Sequence, residues 1–254
     1  MATNVSSGGL KSALLAGEAD ASAEDARTAR RLTSVYVYEA PLRLWHWINA
    51  FAIIVLVGTG YFIGSPPPSM GLGEASDHFL FGYIRFAHFT AGYVLLIGFL
   101  GRVYWAFVGN HHARQLFYVP FWRGRWWKEV VFELKWYFFL ESKPKKYVGH
   151  NPLAQLAMFL FITLGLSFMI VTGFALYAEG QQAGGWADMV FGWAIPLFGS
   201  SMAVHTLHHL GMWWIVIFMI IHIYVAIRED IMSRQSIVST MISGHRTFKD
   251  DDPT

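Results

Sequence analysis

The chain has 254 residues, 54% of them hydrophobic and 17% aromatic but only 14% charged, whereas a soluble domain carries roughly 25% charged residues; with a mean hydropathy of +0.37, the composition points to lipid. A formal charge of +2 is too small for a nucleic-acid-binding surface. The absence of cysteine excludes disulfides, zinc–thiolate sites, iron–sulfur ligation and thioether attachment of haem, so any metal must be held by histidine, methionine or carboxylate.

Residues 1–35 are rich in Ala, Ser, Asp and Arg and contain no apolar core of a signal peptide; they read as a cytoplasmic tail expected to be disordered. Residues 36–249 read as one membrane domain, followed by a tail at 250–254. Within the domain, four apolar stretches at about 44–63, 83–107, 153–177 and 202–227 reach the ~20 residues needed to cross a ~30 Å hydrocarbon core. Backbone groups in lipid must bond within their own segment, so each stretch is expected to be a helix. The predicted fold is an all-α bundle of four transmembrane helices. Pro66, Pro67 and Pro68 stiffen the loop after the first span. The stretch from Trp126 to Leu140 tempts a fifth span, but Lys128, Glu129, Glu133 and Lys135 would then sit near mid-membrane at ~2.5–3.5 kcal/mol each for most such charges. It is expected to be an interfacial amphipathic helix in the loop between spans two and three.

Lysine and arginine set the expected orientation. Five of the 19 basic residues precede span one, a second group runs from Arg102 to Lys146, and Arg228, Arg234, Arg246 and Lys249 follow the last span. Between the first group and Arg102 the only basic residue is Arg85, at the outer start of span two, and the loop between spans three and four has none. The positive-inside rule then makes both termini and the central loop cytoplasmic, in a multi-pass membrane protein.

Ligating side chains inside a membrane are costly and mark function by default. Four of the 11 histidines share a geometry. His46 lies near the cytoplasmic start of span one, His88 near the outer start of span two, and His208 and His222 near the outer and inner ends of span four. The last two are 14 residues apart, which at 3.6 residues per turn is ~40° in azimuth and ~21 Å in height. His209 falls on roughly the opposite face from His222 and His205 about a quarter turn away. An axial pair needs two imidazoles facing each other across a flat macrocycle, and the couples His88/His208 and His46/His222 meet that need for two haems b. The other readings are zinc, which wants three or four ligands at one level, and a proton relay, which wants carboxylates inside spans that have none. A lone histidine in such a helix would more often be a packing residue.

Lesser candidates carry weaker patterns. Gly58, Gly60, Gly92, Gly98 and Gly101 give spans one and two smooth faces for a porphyrin or for plain helix packing. Arg85, one turn before His88, would pair with haem propionates or anchor its helix at the interface. Met212 reads as packing. His78, His111, His112, His150 and His245 read as solvated loop or tail residues. Near the inner couple, Asn49, Tyr224 and Arg228 are candidates for a quinone site.

The stretches YVYEAPLRLWHW, GYIRFAHFTAGY, GRVYWAFVGN, GHNPLAQLAMF, VTGFALY, HTLHHLGMWW and HIYVAIREDIMS resemble the cytochrome b subunit of membrane-bound, uptake-type nickel–iron hydrogenases, over about 36–249. The resemblance implies a membrane anchor that takes electrons from a hydrogenase whose nickel–iron large and iron–sulfur small subunits face the periplasm, and passes them to quinone. In that family haem b ligands fall on the first, second and fourth helices, which map to His46, His88, His208 and His222. His205 or His209 would be the substitutes for His208. The cytochrome subunits of formate dehydrogenase and thiosulfate reductase share the four-helix plan, and a stand-alone quinone-linked oxidoreductase of the cytochrome b561 type is the reading that needs no partner. The chain performs no hydrogen chemistry of its own, because it lacks the cysteines of a nickel–iron centre.

Overall fold

The computed structural model describes residues 32–68, 79–181 and 183–249, together with 17, 18 and 20. Four helices are long and apolar enough to cross a membrane: α1 (Ala40–Gly64), α2 (Leu80–Val108), α4 (Pro152–Glu179) and α7 (Ser201–Met232). Between them lie α3 (Gly124–Tyr137), the short helices α5 (Trp186–Phe191) and α6 (Ala194–Phe198), and, after the last span, α8 (Ile237–Ser243). The starts are written in local chemistry. Pro41 opens α1 and Pro152 opens α4, where a missing N–H costs nothing. The side chains of Asn151 and Ser200 accept from the backbone N–H of Ala154 and Ala203 at 2.6 and 3.2 Å, capping α4 and α7.

Neighbours around the bundle run α1–α2–α4–α7 and back to α1. The core is apolar and is centred on α4, with Ile162, Leu166, Ile170 and Phe174 packed against Leu95 of α2 and Ile215 and Phe218 of α7. Residues 159–164 of α4 form a π-helical stretch, which turns Phe161 to stack between Trp214 and Phe218 at 4.4 and 5.0 Å. The outer faces carry exposed large apolar side chains, among them Phe51, Ile54, Ile97, Leu100, Phe107, Ile220 and Tyr224. A belt of that extent would be an aggregation surface in water and is ordinary in lipid.

Two findings depart from the sequence-based expectation. The fold is not purely helical: β1 (Leu32–Tyr36) pairs antiparallel with β2 (His245–Lys249), Leu32 opposite Lys249 and Tyr36 opposite His245. Strand β1 thus starts four residues before the expected boundary at 36, and the segments flanking the first and last spans are held together at one end of the bundle. The central loop is at that end too, since Asn110 Nδ2 donates to Val37 O at 2.9 Å and Arg246 Nη1 to Gly149 O at 2.6 Å. Residues 1–31 apart from 17, 18 and 20, residues 250–254 and His78 lie outside the described residues.

The second departure is in α3. Its 14 residues cover only ~21 Å, so it is no fifth span. Its buried face, Trp126, Val130, Glu133 and Trp136, lies against Leu153, Leu156 and Phe159 of α4 and, through Trp136 Nε1, against Glu229 of α7 at 2.7 Å. Glu133, expected among surface charges, is inside.

Candidate functional site

The four histidines fall into the two expected couples. In the outer one, His88 of α2 and His208 of α7 are each held by a neighbouring helix in the same way. Thr59 of α1 donates its hydroxyl to Val55 O at 2.6 Å, and its oxygen lies 2.9 Å from Nδ1 of His88. Thr172 of α4 donates to Phe168 O at 2.8 Å, and its oxygen lies 2.8 Å from Nδ1 of His208. With each hydroxyl proton committed to its own helix, the imidazole must be the donor, which places the ring proton on Nδ1 and leaves the Nε2 lone pair for a ligand. Each threonine is followed by a glycine that gives the ring room. A Cβ on Gly60 would stand 3.2 Å from His88 Cε1, and one on Gly173 would stand 3.1 Å from His208 Cε1. The two imidazoles are close enough for the charge of one to bear on the other.

The inner couple is His46 of α1 and His222 of α7, with ring centroids 6.3 Å apart. Two imidazoles sharing one metal through bonds of about 2 Å have centroids roughly 6 Å apart, so this spacing suits a metal held between them. Phe218 stacks on His222 at 5.5 Å and 19°, fixing that ring from above, and Trp47 meets His46 edge-on at 4.9 Å. His46 Nδ1 is buried with no partner among the described residues, which leaves that ring with a nitrogen for a non-protein group. Donor type and spacing at the inner level, and the tautomer set at the outer one, thus fit bis-imidazole ligation of haem. Among the described residues no three histidines or carboxylates converge as an all-protein metal cage would need.

The neighbouring histidines point elsewhere. His205 bonds back to Ser201 O at 3.0 Å. His209 accepts from Trp213 Nε1 at 3.3 Å and packs on Gly64 of α1. Met212 is buried beside Gly60, as packing. Arg85 is exposed one turn before His88.

The three quinone candidates do not share one pocket. Asn49 is buried against Gly98, donates to Trp45 O at 2.9 Å and lines a cavity of about 250 Å³ with Trp45, Gly101 and Arg102. Tyr224 is exposed. Arg228 is buried, paired with Glu229 at 2.8 Å, donating to Trp136 O at 3.0 Å and ringed by Trp136, Tyr137 and Phe139.

Sequence reasoning missed several residues at the inner end. His150, expected to be a solvated loop residue, has Nδ1 3.2 Å from the Tyr38 hydroxyl and 3.3 Å from Gln115 Oε1. Burial, with Arg246 adding to it, holds this imidazole down to about 3, while burial pushes the Tyr38 phenol up to about 12. The cause is the sheet, which folds the central loop beneath the strands. Thr59 and Thr172 carried a readable signal, a Thr–Gly pair in each of two spans, that the sequence reading passed over.

Comparison with known proteins agrees with this architecture. Residues 37–244 match the family described as prokaryotic cytochrome b561. The chain is 68% identical over 232 residues to a probable Ni/Fe-hydrogenase B-type cytochrome subunit of Rhodobacter capsulatus, covering 91% of this chain and 88% of that one. It is 67% identical to the corresponding protein of Azotobacter vinelandii, covering 88% and 93%, and 49% identical to the Ni/Fe-hydrogenase 1 counterpart of Escherichia coli K12, covering 86% and 93%. By this match, and by four apolar helices carrying two histidine couples, the chain belongs to the prokaryotic cytochrome b561 family.

Proposed function

We propose that this chain is the membrane anchor and electron-transfer subunit of a periplasm-facing nickel–iron hydrogenase, receiving electrons from the iron–sulfur small subunit and delivering them to the quinone pool. The observation that carries the reading is the pair of histidine couples at two depths of one bundle. The relatives' names supply the partner, and the resemblance in the loops supports it.

His88 and His208 would hold the outer haem b and His46 and His222 the inner one, and Arg85, one turn before His88, would offer a cation to a haem propionate. Haem, when bound in these sites, supplies one-electron redox chemistry. The chain's own work is to present Nε2 of each outer imidazole in the ligating tautomer, to exclude water with the Phe161, Phe218 and Trp214 stack, and to set the two sites across the bilayer. The basic residues gathered at the sheet end of the bundle support a cytoplasmic location for that end. An electron moved inward across about two thirds of the core against 100 mV costs about 1.5 kcal/mol, which the drop from hydrogen to quinone must exceed. Quinone is reduced at the inner end, where Asn49, Tyr224 and Arg228 remain the candidate contacts.

The test is a reduced-minus-oxidised spectrum with haem quantitation on the purified subunit, paired with hydrogen-driven quinone reduction by membranes with and without it. Two haems b per chain and loss of quinone reduction without the subunit are expected. A colourless protein, or quinone reduction that persists without it, overturns the reading.

A further inference from the structure

Reducing a quinone to a quinol takes two electrons and two protons, and the inner end of the bundle must supply the protons. The spans hold no carboxylate at the depth of the histidines, so the supply has to come from below. There α3, the loop after it, and the ends of α4 and α7 enclose a polar cluster. Its mouth is a surface cleft of about 480 Å³ lined by Lys128, Glu129, Lys135, Glu141 and Lys145. At the mouth Glu129 Oε2 is bonded by Lys145 Nζ at 2.8 Å and by the Tyr147 hydroxyl at 2.9 Å.

One helical turn along α3 from Glu129, on the same face, Glu133 is only 2% exposed. Its Oε2 accepts from Asn151 Nδ2 at 3.0 Å, and the same amide lies 3.4 Å from the Tyr137 hydroxyl. Its Oε1 is buried with no hydrogen-bond partner among the described residues. A buried carboxyl with one satisfied and one free oxygen is costly as an anion and is well suited to hold a proton. Around it stand Glu129 and Tyr137 of its own helix, Lys145 and Tyr147 of the following loop, Asn151 at the start of α4, and Glu229 of α7. The cluster leads inward. Glu229 lies seven residues beyond His222 on α7, two turns and ~10 Å lower on the same face, and Asn151 is joined directly to His150, which lies close enough to feel the charge of His222.

We propose that Glu133 is the proton relay of quinone reduction, taking protons from cytoplasmic water through the cleft at Glu129 and Tyr147 and passing them by way of Asn151 toward the inner histidine couple. For each quinone reduced, two protons pass: the Glu133 carboxyl gives up its proton inward, and the carboxylate left behind is reprotonated from the cleft. The two electrons come from hydrogen through the partner subunits. The inference rests on the proposed quinone reductase role. Burial and the facing Glu229 hold the Glu133 carboxyl up at about 7, so both of its states are available at neutral pH, as a relay needs.

The experiment uses the whole hydrogenase complex in liposomes, with a short-chain naphthoquinone or benzoquinone as acceptor, comparing the native complex with Glu133→Gln and Glu133→Asp. Glu133→Gln is expected to slow hydrogen-driven quinone reduction about tenfold or more, with haem content, hydrogen-driven haem reduction and reduction of a soluble dye unchanged. Glu133→Asp is expected to restore a large share of the rate with a displaced pH profile. A native quinone rate and pH profile in Glu133→Gln overturns the inference and leaves the quinone reductase role standing. A native complex that reduces the dye but no quinone overturns that role and this inference with it. Should Glu133→Gln lose haem, Glu129→Gln at the mouth is the deciding variant: quinone reduction slowed several-fold at alkaline pH supports the route, and an unchanged rate overturns it.

Discussion

Thr172 Oγ1 of α4 sits 2.8 Å from Nδ1 of His208 on α7, and it does so with its own proton already given to Phe168 O. Thr59 and His88 repeat the arrangement between α1 and α2. Each outer histidine is therefore oriented by a helix other than its own, and the tautomer that leaves Nε2 free is set before any ligand arrives. Replacing Thr172 by Val keeps shape but removes the acceptor, so the buried Nδ1–H loses its partner and the ring is free to turn. A 10- to 100-fold loss of affinity at the outer site is expected, read as haem lost from the purified protein during dilution or competition with apomyoglobin. Thr172→Ser, which keeps the hydroxyl, should retain haem; equal loss in both variants would mean that packing alone matters there.

Gly173 tests the same site by volume. A Cβ there would be 3.1 Å from His208 Cε1, so alanine requires the imidazole to shift by a few tenths of an ångström and valine requires more. Gly173→Ala should broaden or shift the absorption of one haem of the pair while leaving total haem near native, and Gly173→Val should reduce haem toward one per chain. Native spectra for both would remove His208 from the outer site.

The choice among the three clustered histidines of α7 follows from their partners. His208 is directed at α4, whereas His205 turns back on its own helix and His209 lies against Trp213 and Gly64. His208→Ala and His222→Ala should each leave one haem per chain, with loss of the outer and inner redox steps respectively in a potentiometric titration. His209→Ala should keep both. Loss of a haem in His209→Ala with both kept in His208→Ala would exchange their roles.

The four spans and the two couples were legible because both rest on properties of single helices: length against the bilayer, and a 14-residue spacing that returns two side chains to one face. What escaped depends on contacts between distant segments. The strands pair residues 32–36 with 245–249, across more than two hundred positions, in stretches too short and too polar to announce themselves by alternation. Thr59 and Thr172 bond back to the carbonyl four residues earlier, as hydroxyls inside a helix commonly do, and only helix packing brings their remaining lone pairs to an imidazole. By sequence His150 falls in a loop, where a solvated imidazole is expected, and Glu133 on an interfacial amphipathic helix. Their burial is decided by the sheet and by α3 lying on α4, neither of which local composition encodes.

The buried carboxyl of Glu133 carries a signature that stability measurements can read apart from turnover. In the folded protein it is held up at about 7, mainly by burial, against 4.5 for the free side chain. The folded state therefore grips this proton more tightly than the unfolded state does. Below about pH 4.5 the group is neutral in both states and costs nothing. As pH rises from there toward 7, the unfolded chain releases the proton first and the folded state loses stability relative to it. Above 7 the loss is complete, at no more than about 3 kcal/mol for a rise from 4.5 to about 7. Glutamine cannot ionise and still offers Asn151 an acceptor, so Glu133→Gln should flatten the decline. In thermal unfolding of the detergent-purified protein between pH 5 and 8, the native chain should lose midpoint temperature relative to the variant as pH rises, with the steepest separation between 5 and 7. A constant difference across that range would show that Glu133 does not change its protonation on folding.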